Sequence, residues 1–297
     1  MINIKNLKLN FLIQTIIVFL FMSFLSLVTA NTMITGKVVY TSEPVHSVYI
    51  SPTVSAPPYE PAGIDAFQFL VAFFIATSLM LIFLKLCKGK FLFEFFFAGA
   101  VIFGAQGPLG ILFEKTSAFF IAVTIVVLRF AYPRIWTQNL AIILGIAGIA
   151  ASLGMSVEPL MALLILVLLS IYDIIAVYKT RHMVKLFKGM AKKGAVLALI
   201  LPKNFSKWFG KFKIIEPKNE NEFVFLGTGD LALPLFFAVS AFSLGVEFSL
   251  AIIAGAIIGF AVDHLIFMTQ KKKNPIPALP AVAFFSIMGY LVKFYLW

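Results

Sequence analysis

The chain has 297 residues, 61% apolar and 12% charged, with 24 Lys+Arg against 13 Asp+Glu. Soluble domains sit near about 45–50% apolar and about 25% charged, which excludes an ordinary soluble fold. The net charge of +11 invites a nucleic-acid surface, but the charges only punctuate long apolar runs, so no nucleic-acid partner is expected. The only cysteine, Cys87, excludes an internal disulfide framework, and no Cys/His group has metal-ligand spacing. Neither a metal nor a cofactor is expected.

A helix needs roughly 20 predominantly apolar residues to cross a bilayer. Nine segments meet that test: 11–30, 66–84, 91–112, 117–133, 139–155, 159–178, 223–244, 248–269 and 278–297. No strand-like alternation points to a closed barrel, and helices are the other way to satisfy backbone groups in lipid. The expected fold class is therefore all-α, a polytopic membrane bundle of about nine transmembrane helices. The first segment also resembles a secretory signal, with Lys5, Lys8 and the small-residue run Val28-Thr29-Ala30. Its apolar core is long for a signal, and a retained span is expected. The third segment carries Gln106-Gly107-Pro108, which predicts a kink or local break.

Two connections have size. Residues 31–64 form a polar outer loop containing Pro57, Pro58 and Pro61. Residues 179–222 form a strongly basic inner loop, in which the apolar run Ala195–Leu201 is far too short to span and reads as an interfacial helix. The chain thus divides into a membrane half 1–178, a basic loop 179–222 and a second membrane half 223–297. With the N-terminus in the cytoplasm, all basic residues but Lys37, Lys115 and Lys293 fall on the inner side. The positive-inside rule therefore puts the N-terminus in the cytoplasm and the C-terminus outside.

Acids inside such segments are expensive, about 2.5–3.5 kcal/mol at mid-helix, and are functional candidates by default. Three aspartates lie within them: Asp173, Asp230 and Asp263. Counting from the inner boundary at 1.5 Å per residue places each of them roughly 9–12 Å deep. Asp230 lies in Gly227-Thr228-Gly229-Asp230, with Pro234 four residues on. Pro234 removes the helical partner of the Asp230 carbonyl, so an aspartate beside interrupted backbone is expected at membrane depth. Asp173 follows Tyr172, which either offers a hydroxyl near the site or anchors at the interface. Asp263 precedes His264 and reads as a structural pair. Gly255 and Gly259 on the same segment read as a close helix contact. The last segment opens on Pro275, Pro277 and Pro280, which leaves extended backbone near the depth of the acids.

Two carboxyl groups within hydrogen-bonding range share a proton. One can then take a proton from water while the other polarises a carbonyl, which is peptide hydrolysis without a metal. Backbone exposed near Pro277-Ala278-Leu279 could receive an unwound substrate segment as an added strand.

Tyr172-Asp173, Gly227-Thr228-Gly229-Asp230 and Pro277-Ala278-Leu279, on the sixth, seventh and ninth segments, resemble the presenilin and signal peptide peptidase family. The resemblance covers essentially the whole chain. It implies an intramembrane aspartic endopeptidase with Asp173 and Asp230 as its catalytic dyad. It implies that Tyr172, Gly227, Gly229, Pro277, Ala278 and Leu279 shape the site, while Asp263 receives no role from it. The N-inside topology and Tyr-Asp-Ile-Ile-Ala-Val resemble the presenilin branch, which implies substrates whose N-termini lie outside. The short loops and low cysteine content look like a compact prokaryotic or archaeal member. The partners so implied are transmembrane helices of substrate proteins and the lipid bilayer, with accessory subunits not required. Presenilins also cleave themselves between spans 6 and 7, which makes Ala195–Leu201 a candidate for that region or for a gating plug. Two rivals stay open: a prepilin-peptidase-like aspartic protease, which shares Gly-x-Gly-Asp but lacks Pro-Ala-Leu, and a proton-coupled transporter or channel.

Overall fold

The computed structural model describes residues 4–40, 68, 71, 75, 90–179, 198–202, 205–210, 223–269 and 277–296. Eight helices lie among them. They are α1 (Ile4–Tyr40), α2 (Lys90–Leu109), α3 (Lys115–Ala131), α4 (Ile135–Gly154), α5 (Pro159–Ile174), α6 (Thr228–Ser240), α7 (Val246–Thr269) and α8 (Leu279–Leu296). Five stretches are long and apolar enough to cross a membrane: Asn10–Thr35, Ile135–Gly154, Pro159–Lys179, Val246–Phe267 and Leu279–Leu296. The expected count of nine is thus eight among the described residues, and segment 66–84 lies outside them apart from residues 68, 71 and 75.

The core is built around α4, buried along most of its length. Gly104 of α2 meets Gly145 and Gly148 of α4 so closely that a Cβ on Gly148 would lie 1.7 Å from the Gly104 carbonyl oxygen. In lipid there is little hydrophobic drive between helices, so such small-residue contacts bring backbones together. Ser26 of α1 adds a buried hydrogen bond to the Ala147 carbonyl, 2.9 Å. Phe19 and Met22 of α1 are fully buried in the same core.

The close contact expected of Gly255 and Gly259 is present between α7 and α8. A Cβ on Gly255 would lie 2.1 Å from the Phe285 carbonyl oxygen, and one on Gly289 2.2 Å from that of Ala251. Toward the other end of this pair, Lys293 and Glu247 form an ion pair.

Four sequence expectations need correction. The outer loop does not begin at residue 31, because α1 continues to Tyr40. Thr32 and Thr35 return their hydroxyls to the carbonyls of Thr29 and Asn31, so these polar residues sit comfortably in helix. No break occurs at Gln106-Gly107-Pro108: α2 runs through to Leu109, with Pro108 in its last turn. The fold is not purely helical. The Ala195–Leu201 run is no interfacial helix over its described part, since Ala198–Pro202 forms strand β1, buried throughout. Its partner is β2 (Phe223–Gly227), so segment 223–244 does not start as helix. The two strands pair antiparallel, from Ala198 opposite Gly227 to Pro202 opposite Phe223. The β-branched and aromatic residues Val224, Phe223 and Phe225 suit a strand, and the chain turns helical only after Gly227.

Candidate active site

Helix α5 is exposed on most sides and buried on one stripe: Ala162, Ile165, Leu166 and Asp173. That spacing is one helical face, so the same side that packs against the bundle carries the carboxylate inward. Neighbouring residues point about 100° apart on a helix, and Tyr172 is accordingly exposed while Asp173 is buried. Directly beyond Asp173 the helix widens into a π-helical turn, Ile175–Lys179, a distortion frequent at functional sites.

The carboxylate of Asp173 accepts a hydrogen bond from the backbone N–H of Leu279. Leu279 is the first residue of α8, whose opening N–H groups have no partner within the helix. Pro280 follows in that first turn, where its missing N–H does no harm. An acid facing a helix N-terminus is also favoured by the aligned peptide dipoles. The described part of the proline-rich stretch, from Pro277 to Pro280, therefore has a structural consequence: Pro277 and Leu279 are buried, and the helix start they define is aimed at Asp173. The second oxygen of Asp173, Oδ2, is buried with no hydrogen-bond partner among the described residues.

Asp230 occupies the first turn of α6, directly after β2. Its carboxylate folds back over Gly227: a Cβ there would lie 2.8 Å from Asp230 Oδ2. Only glycine leaves room for that rotamer unstrained. Gly229 differs, since a Cβ on it would meet nothing within 4 Å. Pro234 lies inside α6 and removes the N–H that the Asp230 carbonyl would otherwise receive.

Asp230 is within electrostatic range of Asp173, and Asp263 of α7 is within range of both. A cavity of about 280 Å³ opens beside Asp230 and Asp263, and its lining also includes Val224, Leu226, His264 and Ala278. The structure thus brings together Asp173, Asp230, Gly227 and the Pro277–Leu279 segment, and leaves Tyr172 on the outer face. It adds Asp263 and His264, which read from the sequence as a structural pair, to the cavity lining. Their signal in the sequence was depth, equal to that of the other two acids.

Comparison with known proteins identifies the family. A family model described as signal-peptide peptidase, presenilin aspartyl protease matches residues 42–296. No curated protein matches. Among solved structures, a presenilin family intramembrane aspartate protease in a C222 crystal is similar with a TM-score of 0.60 at 23% identity, covering 96% of this chain and 99% of that one. The same description in a P2 crystal gives a TM-score of 0.60 at 23% identity, with 95% and 96% covered. The family match spans most of the sequence and the fold agrees over nearly all of it: the chain belongs to the signal-peptide peptidase and presenilin family of aspartyl proteases, and is a multi-pass membrane hydrolase.

Proposed function

We propose that Asp173 and Asp230 are the catalytic dyad of this intramembrane protease. The observation that carries the reading is their convergence at the start of α8, with Asp173 held by the Leu279 N–H and Asp230 within its electrostatic range. When two carboxyl groups come within hydrogen-bonding range around a substrate, they hold one proton between them. The ionised member takes a proton from water, whose oxygen bonds to the scissile carbonyl carbon. The protonated member donates its hydrogen to the carbonyl oxygen. The resulting gem-diol collapses: the amide nitrogen takes a proton from the dyad and leaves as the C–N bond breaks, while a diol hydroxyl proton passes to the other carboxylate and restores the shared proton. Water supplies the nucleophile directly, so no covalent enzyme intermediate forms.

The substrate's unwound segment lies in the cavity bordered by Val224–Leu226 and Ala278, where extended backbone offers strand-like partners. Gly227 leaves room for the Asp230 carboxylate, Gly229 leaves open space beside it, and Pro277, Ala278 and Leu279 set the α8 start. Tyr172, exposed next to Asp173, marks the inner interface. The distribution of Lys and Arg puts the N-terminus in the cytoplasm and the C-terminus outside. Substrates with outer N-termini suit that orientation, and the chain works without accessory subunits.

The test is purified protein in lipid vesicles with a transmembrane peptide, the products mapped by mass. A cut inside the apolar stretch, on the cytoplasmic side of its centre, is expected. Solute or proton flux without any cut peptide would favour a transporter instead.

A further inference from the structure

The edge of the β-ribbon that faces away from β2 is closed in an unusual way. In an antiparallel ladder, successive residues direct their N–H and C=O alternately toward the partner and away from it. Ile200 is an outward residue, and both of its backbone groups go to one side chain. Its N–H donates to Asn139 Oδ1 at 2.9 Å, and its carbonyl accepts from Asn139 Nδ2 at 2.7 Å. Two residues on, the outward carbonyl of Pro202 accepts from Gln14 Nε2 at 3.1 Å. Pro202 has no N–H to satisfy. Gln14 is oriented in turn by Trp208, whose indole Nε1 donates to Gln14 Oε1 at 3.1 Å. Indole is only a donor and a carbonyl only an acceptor, so this arrangement fixes which end of the Gln14 amide meets each.

Asn139 is on α4 and Gln14 on α1, and both are buried. A carboxamide presents one N–H donor and one C=O acceptor side by side, as a peptide group of a neighbouring strand does. Buried backbone groups need such partners, and an amide in an otherwise apolar span is costly unless it is used. The loop is stitched to α4 once more, by the Ile135 N–H donating to the Gly210 carbonyl at 3.2 Å.

We propose that Asn139 and Gln14 are positioning residues that stand in for a third strand. They lock β1 to the bundle, β1 fixes the register of β2, and β2 delivers Asp230 three residues beyond its end at Gly227. A strand advances about 3.3 Å per residue, so even a partial loss of register displaces Asp230 by more than catalysis tolerates. The proposal rests on the reading of Asp230 as a member of the dyad. The same clamp closes the outer edge of β1 to any added strand.

The experiment compares wild type with Asn139→Leu, Asn139→Asp and Gln14→Leu in vesicles. It follows amide hydrogen exchange together with kcat and KM on a transmembrane peptide. Asn139→Leu is expected to speed exchange in 198–202 and 223–227 by about tenfold or more while α7 and α8 stay protected. Its kcat is expected to fall at least about tenfold with KM nearly unchanged. Asn139→Asp keeps the acceptor for the Ile200 N–H and is expected to lie between the two. Gln14→Leu probes the Pro202 end and serves as the second test if Asn139→Leu does not fold. Exchange unchanged in both strands overturns the clamp, as does faster strand exchange with wild-type kcat. Loss of protection throughout the bundle also overturns it, by showing a general packing role. If Asp230→Ala still cleaves, the dyad reading fails while the exchange result stands.

Discussion

The α7–α8 contact is what sets the position of the α8 start, and a single methyl group tests it. In Gly259→Ala the new Cβ would lie 2.5 Å from Val282 Cα and 3.0 Å from both the Ala281 carbonyl oxygen and the Val282 nitrogen. These are backbone atoms on a helix, so no rotamer relieves the overlap. Ordinary contact requires 3.4 Å or more, and the helices must part locally by about 1 Å. Overpacking of this kind costs about 1–3 kcal/mol. Val282 lies one turn beyond Leu279, so the displacement also draws the Leu279 N–H from Asp173. A misplacement of about 1 Å near reacting groups can cost about 100-fold in rate. The expected result is a lowered Tm in detergent, together with a kcat loss of about 10- to 100-fold on a transmembrane peptide. Gly99→Ala on α2 is the matched control, since its Cβ meets nothing within 4 Å; its Tm and cleavage should stay near wild type. A Gly259→Ala protein with unchanged Tm and rate would refute the reasoning that this contact holds the site.

Asp263 shares the cavity with Asp230 but lies outside the proposed dyad. Asp263→Asn, nearly isosteric, should therefore retain cleavage; loss to the level of Asp230→Ala would place it in the reaction. Because the dyad must hold one proton, kcat/KM should follow a bell-shaped pH profile, with each limb reporting the pair rather than one residue. A profile flat across both limbs would contradict a shared proton.

Much of the site was legible because it depended on local chemistry. Asp173, Asp230 and the prolines before α8 announce themselves as residues that an apolar span cannot hold without a reason. Gly255 and Gly259 were readable by their spacing alone. The strands were not. A five-residue apolar run such as Ala198–Pro202 carries no period that separates strand from buried helix, and its partner lies more than twenty residues away. Once β2 takes Phe223–Gly227, the seventh segment must begin its helix late, at Thr228. Gln14 and Asn139 carry no signal in the sequence for a related reason. One amide in an apolar run looks like a tolerated polar residue until the backbone it completes is known. Asp263 was read with its sequence neighbour, whereas the relation that matters is across helices, to Asp230.

Single-turnover cleavage decides whether Asp173 and Asp230 share the chemistry. With enzyme in excess over a transmembrane peptide in vesicles, Asp173→Ala and Asp230→Ala should each lose at least about 100- to 10,000-fold in the cleavage step, while both proteins keep the wild-type Tm. Cleavage at the wild-type rate by either variant would contradict the claim.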